Sequence, residues 1–155
     1  MRSFKGVVTC GLVFVMLLSN AALASSSSAG AHSILGVWLT GDRDAKINIY
    51  KCGAKAKKIC GRIVWAGKGP QTDIKNPNPA LRSRPILGLK IMKGFSYAGK
   101  NKWDGGRLYD PKSGNTYRGS IRLASPDRLK LRGYILLPLF GRTDTWTRVR
   151  GTAPE

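Results

Sequence analysis

Side chains that could support catalysis are sparse in this sequence of 155 residues. Its single histidine, His32, lies near the N-terminus and outside the strand-like segments, so a Ser-His or Cys-His pair is not expected. Most aspartates fall in turns, which leaves Asp73, Asp104 and Asp144 as candidate acids or bases. We therefore predict a protein that is not an enzyme and has no cofactor or metal site. Catalysis by Asp73 or Asp144 is the third of three functional hypotheses.

One long segment, residues 67–85, has no strand pattern and contains four prolines. Ordered loops of this length in compact domains often serve as lids or binding loops. Arg82 and Arg84 lie near its end, and each could hold an anionic head group through two parallel hydrogen bonds. Alternatively, Asp73 accepts hydrogen bonds from these arginines and only fastens the segment to the domain. The sequence leaves both interpretations open.

Trp65 and Trp146 are the aromatic residues best placed for a ligand pocket. Both lie where apolar and polar residues alternate, and the alternation directs both side chains inward. Such residues usually belong to the core, but near the open end of a barrel they could line an apolar cavity. The candidate ligand-binding residues are therefore Arg82, Arg84, Trp65, Trp146 and Asp73.

The N-terminus has the pattern of a cleaved secretory signal. Arg2 and Lys5 precede an apolar stretch, and Ala22-Leu23-Ala24 forms an A-x-A cleavage site. The stretch is shorter than the roughly 20 residues of a membrane span, which favours a cleaved signal over a membrane anchor. No second apolar stretch reaches that length, so no transmembrane segment is expected in the mature chain. We predict a signal peptide at 1–24, a flexible leader at 25–33, one domain at 34–150 and a flexible tail at 151–155. The protein would be periplasmic or secreted.

Two cysteines, Cys52 and Cys60, lie in the body of the chain. An even pair in an exported protein favours a disulfide, and no Cys-x-x-Cys supports a metal site. If the two cysteines lie directly opposite each other in a hairpin, Ile49 faces Ile63 on its apolar side. The disulfide would then close a lysine-rich loop and stabilise the hairpin.

The elements that position these residues are β-strands, because apolar residues alternate in short runs broken by turn residues. Several short runs of this kind, spaced about ten residues apart, indicate an all-β sandwich or barrel of antiparallel strands. We predict eight strands, at residues 35–40, 45–52, 59–66, 87–97, 102–110, 115–124, 128–137 and 142–149.

Two turns determine the predicted pairing of three of these strands. Pro111 and Gly114 belong to one turn, and the other contains Pro126. With these turns, three glycines face one another in one inward row across neighbouring strands: Gly106, Gly119 and Gly133. We predict that the row bends the sheet so that a small barrel can close. The alternative is that the missing side chains open a cavity.

Several motifs in a fixed order resemble a known family. They are Gly36-Val37-Trp38, Cys52-Gly53, Cys60-Gly61-Arg62-Ile63-Val64-Trp65, Asp73 with Asn76-Pro77-Asn78-Pro79-Ala80-Leu81-Arg82-Ser83-Arg84-Pro85, Lys102-Trp103-Asp104-Gly105-Gly106, Tyr109-Asp110-Pro111, Arg132-Gly133-Tyr134 and Phe140-Gly141-Arg142-Thr143-Asp144-Thr145-Trp146-Thr147-Arg148. From about residue 34 to residue 150, the chain resembles a family of exported bacterial proteins known as a domain of unknown function. The resemblance implies a lipocalin-like, up-and-down β-barrel of about eight strands, and it implies no established activity.

Gly36-x-Trp38 also resembles the opening motif of lipocalins. In that family the tryptophan closes one end of the barrel, and a basic residue of the last strand lies across its ring. The resemblance implies that Trp38 pairs with Arg148, or less favourably with Arg142. An arginine over an indole ring is a favourable cation–π contact, and its role here would be structural.

The first functional hypothesis is a non-enzymatic binding module for a small apolar or amphipathic ligand, by analogy with the fold. The second is a basic protein that binds an anionic envelope component, either a polymer or a partner protein. The size of the net charge, +19, supports the second hypothesis, but the charges are spread along the sequence and do not form one cluster. Nucleic acid is a poor candidate partner for an exported protein.

Overall fold

A closed barrel of eight antiparallel strands makes up the body of the protein, as predicted. The computed structural model describes residues 34–67 and 69–151, so the predicted signal peptide and leader lie outside the described residues. Each strand pairs with the next, and the last strand closes on the first. The strands are β1 Gly36–Leu39, β2 Ala45–Cys52, β3 Lys58–Ala66, β4 Lys90–Gly99, β5 Lys102–Asp110, β6 Asn115–Ser125, β7 Arg128–Tyr134 and β8 Arg142–Arg148.

Alternation along the strands fills the inside of the barrel with apolar side chains. The largest buried ones are Trp38, Trp103, Phe95, Ile34, Ile47, Ile49, Met92, Ile121 and Leu129. Polar and charged residues between them point outward, which is the pattern of a sheet with one dry face. The core therefore lies inside the barrel, and the Lys and Arg residues of the strands lie on its outer wall.

The three glycines pair in the predicted row. Gly106 lies opposite Gly119, and Gly119 lies opposite Gly133. A Cβ atom built on Gly106 would overlap the ring of Phe95, and one on Gly119 would lie 2.8 Å from Leu108. The space left by the first two glycines is thus filled by core side chains, which supports close packing over a cavity.

The hairpin of β2 and β3 contains the disulfide, but in a different register from the predicted one. Cys52 and Cys60 are bonded, with Cα atoms 5.8 Å apart. Cys60 lies opposite Tyr50, not opposite Cys52, and Ile49 faces Gly61 instead of Ile63. The prediction was wrong by two residues because β3 begins at Lys58, after a short loop with a 3₁₀ turn. A shift by two keeps the side chains of β3 as far as Ile63 on their predicted faces.

Trp65 does not point inward, so this prediction was wrong. The pairing of β2 and β3 slips between Lys46 and Ile47, so that an extra residue, Val64, bulges out of β3. Beyond the bulge the alternation is reversed, and Trp65 lies opposite Lys46 with 41% of its surface exposed. The Lys46 ammonium lies 5.4 Å from the centre of the indole ring.

The two ends of the barrel differ. At one end lie the connections 40–44, 67–89, 111–114 and 135–141; we call residues 67–89 the strap and this end the strap end. At the opposite end Trp38 is fully buried, and the Arg148 guanidinium lies 4.2 Å from the centre of its ring. In addition, Arg148 donates to the carbonyls of Leu35 and Pro126. Among the described residues, no helix has the length and apolar character needed to cross a membrane.

Candidate functional site

Asp73 is the centre of a buried polar cluster that holds the strap against β5. Its carboxylate is fully buried and accepts a hydrogen bond from the Tyr109 hydroxyl at 2.6 Å. The Asn76 amide donates to Oδ2 at 2.7 Å, and Arg84 donates to the same oxygen from Nε at 2.8 Å and from Nη2 at 2.6 Å. Asp73 thus joins two ends of the strap to a strand of the barrel wall.

The electrostatics of this cluster favour a permanent ion pair over proton transfer. Burial alone would raise the pKa of Asp73, but hydrogen bonds from Tyr109, Asn76 and Arg84 outweigh it and lower the pKa below its ordinary value. Burial and the adjacent carboxylate raise the pKa of Tyr109 above its ordinary value. At neutral pH the aspartate therefore stays charged and the tyrosine stays protonated. This arrangement suits a structural clamp better than a general acid or base.

The two strap arginines have different partners. Arg84 is bound by Asp73, and its guanidinium also lies 5.6 Å from the centre of the Tyr109 ring. Arg82 donates from Nε to the carbonyl oxygen of Asn76 at 2.9 Å. The fastening interpretation therefore accounts for the contacts of Arg84, while Arg82 is exposed and stabilises the turn of the strap.

The other candidate residues are not gathered into one site. Trp146 points inward as predicted, but it is part of the packed core, and its ring nitrogen donates to the Asp144 carboxylate at 2.6 Å. Asp144 itself is exposed on β8, three strands away from the Asp73 clamp on β5, and accepts a hydrogen bond from the Gly41 amide at 3.4 Å. Within the described residues, no three His, Cys, Asp or Glu side chains lie close enough together to hold a metal ion.

A groove of about 480 Å³ lies outside the barrel, between the strap and the outer wall of β4, β5 and β6. Its lining combines apolar and cationic groups: Asn76, Pro77, Leu81, Arg84, Leu89, Lys90, Ile91, Lys93, Arg107, Tyr109 and Thr116. The Asp73 clamp forms one side of this groove through Asn76, Arg84 and Tyr109. An apolar surface next to several cations matches an amphipathic anion.

Three cations face one another across the wall beside this groove. Lys93 lies opposite Arg107, and Arg107 lies opposite Arg118; we call these three residues the cationic row. All three are exposed, and none forms an ion pair with any carboxylate of the described residues. Like charges directly opposite each other destabilise a sheet, so the cationic row lowers the stability of the folded protein. Sequence analysis missed the row, although the predicted register of β5 and β6 already placed Arg107 opposite Arg118.

A second depression, of about 560 Å³, lies at the opposite end of the barrel between Asn101, residues 123–127, Arg148 and Arg150. Its two arginines both form ion pairs with Asp127. Their charge is therefore partly neutralised within the protein, in contrast to the cationic row. The groove beside the strap is the better candidate site for an anion.

Comparison with known proteins agrees with this architecture. Protein HP1028 from the human pathogen Helicobacter pylori, described as a member of the lipocalin family, is similar in structure, with a TM-score of 0.66 and 23% sequence identity. The similarity covers 75% of this chain and 82% of that protein, and it supports the fold alone. Comparison with curated proteins found no match. The profile of the bacterial family "Uncharacterized protein conserved in bacteria (DUF2147)" matches residues 36–148, and the chain therefore belongs to that family.

Proposed function

We propose that this protein is a non-enzymatic binding protein that holds an anionic amphiphile in the groove beside the strap. The observation that carries the proposal is the unneutralised cationic row at the edge of a partly apolar groove. The negatively charged head group would contact Lys93 and Arg107, and its apolar part would lie against Leu81, Leu89 and Ile91. Charge-assisted hydrogen bonds to these cations would determine the orientation of the ligand.

The packing of the barrel interior supports a site outside the barrel. Phe95 and Leu108 occupy the space beside Gly106 and Gly119, and Trp103 is buried as well. A barrel interior filled by such large side chains leaves little room for a ligand. The outer groove, in contrast, offers both the volume and the mixed surface that a small amphipathic molecule requires.

Calorimetric titration with dodecyl phosphate, and with uncharged dodecanol as the matched probe, tests the proposal. Lys93→Gln combined with Arg107→Gln should weaken binding of dodecyl phosphate by roughly 10- to 100-fold, because two charge-assisted contacts are lost. Arg122→Gln combined with Lys130→Gln removes the same charge elsewhere on the wall and should leave the affinity nearly unchanged. Binding in the groove would be refuted if the Lys93/Arg107 variant bound dodecyl phosphate as tightly as wild type does. It would also be refuted if wild type bound dodecanol as tightly as dodecyl phosphate.

A second candidate function is adhesion to an anionic envelope polymer. A further set of cations supports it, since Lys102 lies opposite Arg122 and Arg122 lies opposite Lys130 on the same wall. If a polymer contacts both sets of cations, the two double variants described above should bind it more weakly than wild type, and to a similar extent. Titration with dextran sulfate at increasing salt concentration distinguishes this outcome, because binding through many ion pairs falls steeply with salt.

Export is part of the proposal. The Cys52–Cys60 disulfide supports it, because disulfides persist mainly in oxidising compartments. Fractionation of cells that produce the full chain, followed by N-terminal sequencing, should find a periplasmic or secreted protein that begins at Ser25. A full-length chain retained in the cytoplasm would contradict both the cleavage site and the compartment.

A further inference from the structure

A run of apolar side chains projects from the strap end of the barrel. Between β7 and β8, every residue from 135 to 140 is apolar, and we call this segment the apolar loop. Five large side chains in it are mostly exposed: Ile135 69%, Leu136 79%, Leu137 58%, Leu139 79% and Phe140 75%. The sequence pattern predicted that β7 would continue to residue 137, but the strand ends at Tyr134 and these side chains turn to solvent.

We infer that the apolar loop inserts into the surface of a lipid bilayer that carries anionic head groups. Large apolar patches on an otherwise polar protein mark interaction sites, and exposure of this size is unfavourable in water. The remaining large exposed apolar residues also concentrate at the strap end, namely Ile74, Leu81, Leu87 and Trp65; Tyr97 is the exception. Exposed apolar side chains thus concentrate at this end, beside the polar connections 40–44 and 111–114.

Several backbone polar groups of the apolar loop form hydrogen bonds within the protein and so need no water. Phe140 N–H donates to the Leu137 carbonyl at 3.1 Å, and Pro138 has no N–H to satisfy. The Arg132 side chain donates to the carbonyl oxygens of Pro138 at 2.7 Å and Leu139 at 3.2 Å. Unpaired backbone groups are what excludes most loops from the hydrocarbon region, and here several of them are paired internally.

The charge around the loop fits an anionic bilayer. The cationic row continues across the wall to the base of the loop, because Arg118 lies opposite Tyr134, the residue just before Ile135. Exposed Arg142 follows the loop and lies opposite Gly133. With the loop inserted, these cations would lie near the lipid head groups, where basic residues are attracted to anionic lipid. The net charge of +19 acts in the same direction.

A bilayer fits the loop better than a second copy of this chain. A standard protein interface takes about 20–30 residues from each side, whereas this loop offers six residues without a polar side chain. The loop also projects, and a fluid bilayer accepts a projecting group without a complementary pocket. Self-association is therefore an outcome that the experiment must distinguish.

Flotation with unilamellar vesicles of one part phosphatidylglycerol to three parts phosphatidylethanolamine tests this inference. The wild-type protein should float with the vesicles. Leu136→Ser combined with Phe140→Ser should lower the partition coefficient at least about tenfold. Transfer of one apolar side chain of this size out of water alone changes a partition coefficient by about that factor. Tyr97→Ser, an exposed aromatic residue at the opposite end, serves as the control and should bind as wild type does. Thermal unfolding confirms that each variant is folded.

A second variant reports the depth of insertion. Phe140→Trp keeps a large apolar side chain and adds a fluorescent one. Lipids with brominated chains should quench the tryptophan fluorescence of this variant more than that of wild type. The inference is overturned if the double serine variant floats like wild type, because the cations alone would then account for binding. It is also overturned if wild type fails to float, or if light scattering shows a dimer that the serine substitutions dissociate while no vesicles are bound.

Discussion

Replacing Asp73 with alanine tests whether one buried carboxylate holds the strap to the barrel. The substitution leaves Tyr109, Asn76 and Arg84 without their shared acceptor. Removing one partner of a buried ion pair costs about 3–5 kcal/mol. The Arg84 side chain keeps 35% of its surface exposed and can be rehydrated, so we expect the lower end of this range, about 3 kcal/mol.

Two measurements check this expectation. Urea unfolding at pH 7, followed by tryptophan fluorescence, gives the change in the free energy of unfolding. Hydrogen exchange should accelerate at the amides that tie the strap together, those of Asp73 and Ile86, which donate to the carbonyls of Arg84 and Gln71. Asp104→Ala is the control, because that half-exposed carboxylate pairs with Lys102, and its loss should cost less than about 1 kcal/mol.

The same cluster predicts a dependence of stability on pH. Because the pKa of Asp73 is lower in the folded protein than its ordinary value of 3.8, its ionised form stabilises the fold at higher pH. That contribution is fully present well above 3.8 and disappears as the pH falls through the folded-state pKa. The difference in unfolding free energy between wild type and Asp73→Asn should therefore shrink as the pH falls below about 4. A difference that stays constant down to pH 2, or a loss below about 1 kcal/mol in Asp73→Ala, would refute the clamp.

Three further predictions concern the barrel itself. Gly106→Ala places a methyl group in the space of a core aromatic ring and should lower the unfolding free energy by about 1–3 kcal/mol, whereas Gly133→Ala, whose nearest neighbours lie 3.6 Å away, should change it little. Cys52→Ser should cost about 2.5 kcal/mol in the same urea titration, as expected for a short closed loop, and reduction of wild type should match it. Arg148→Lys keeps the charge but loses the planar contact with Trp38, so a loss of about 1 kcal/mol is expected, and an unchanged melting temperature would contradict it.

The parts of the fold predicted best are those that local chemistry determines. The turns around Pro111 and Pro126 allow few pairings, so the registers of β5 with β6 and of β6 with β7 were predicted correctly from sequence. The disulfide followed from cysteine number and context. The exact register of β2 and β3 could not be predicted from the cysteines, because two cysteines in diagonal positions can form a disulfide as well as two directly opposed ones can.

The candidate site was predicted less well, for reasons that lie outside any single strand. Trp65 faces outward because of a bulge at Val64, and the three consecutive apolar residues Ile63, Val64 and Trp65 do not show which of them faces inward. Asp73 and Arg84 were predicted as potential partners, but Tyr109, the third member of the clamp, comes from a distant strand. The Asn76 amide completes the cluster and was not among the candidates.

The residues by themselves determined eight antiparallel strands, a disulfide and a strongly basic composition, because alternation, turn residues and composition are local properties. The choice of a barrel over a sandwich came from the family resemblance. Only the tertiary structure decided where the charge and the apolar groups lie relative to one another. The pairing of β4 with β5 adds Lys93 to the Arg107–Arg118 pair that the predicted register already contained. The end of β7 at Tyr134 leaves Leu136 and Phe140 exposed to solvent. Those placements depend on distances between strands, which no segment of the chain contains alone.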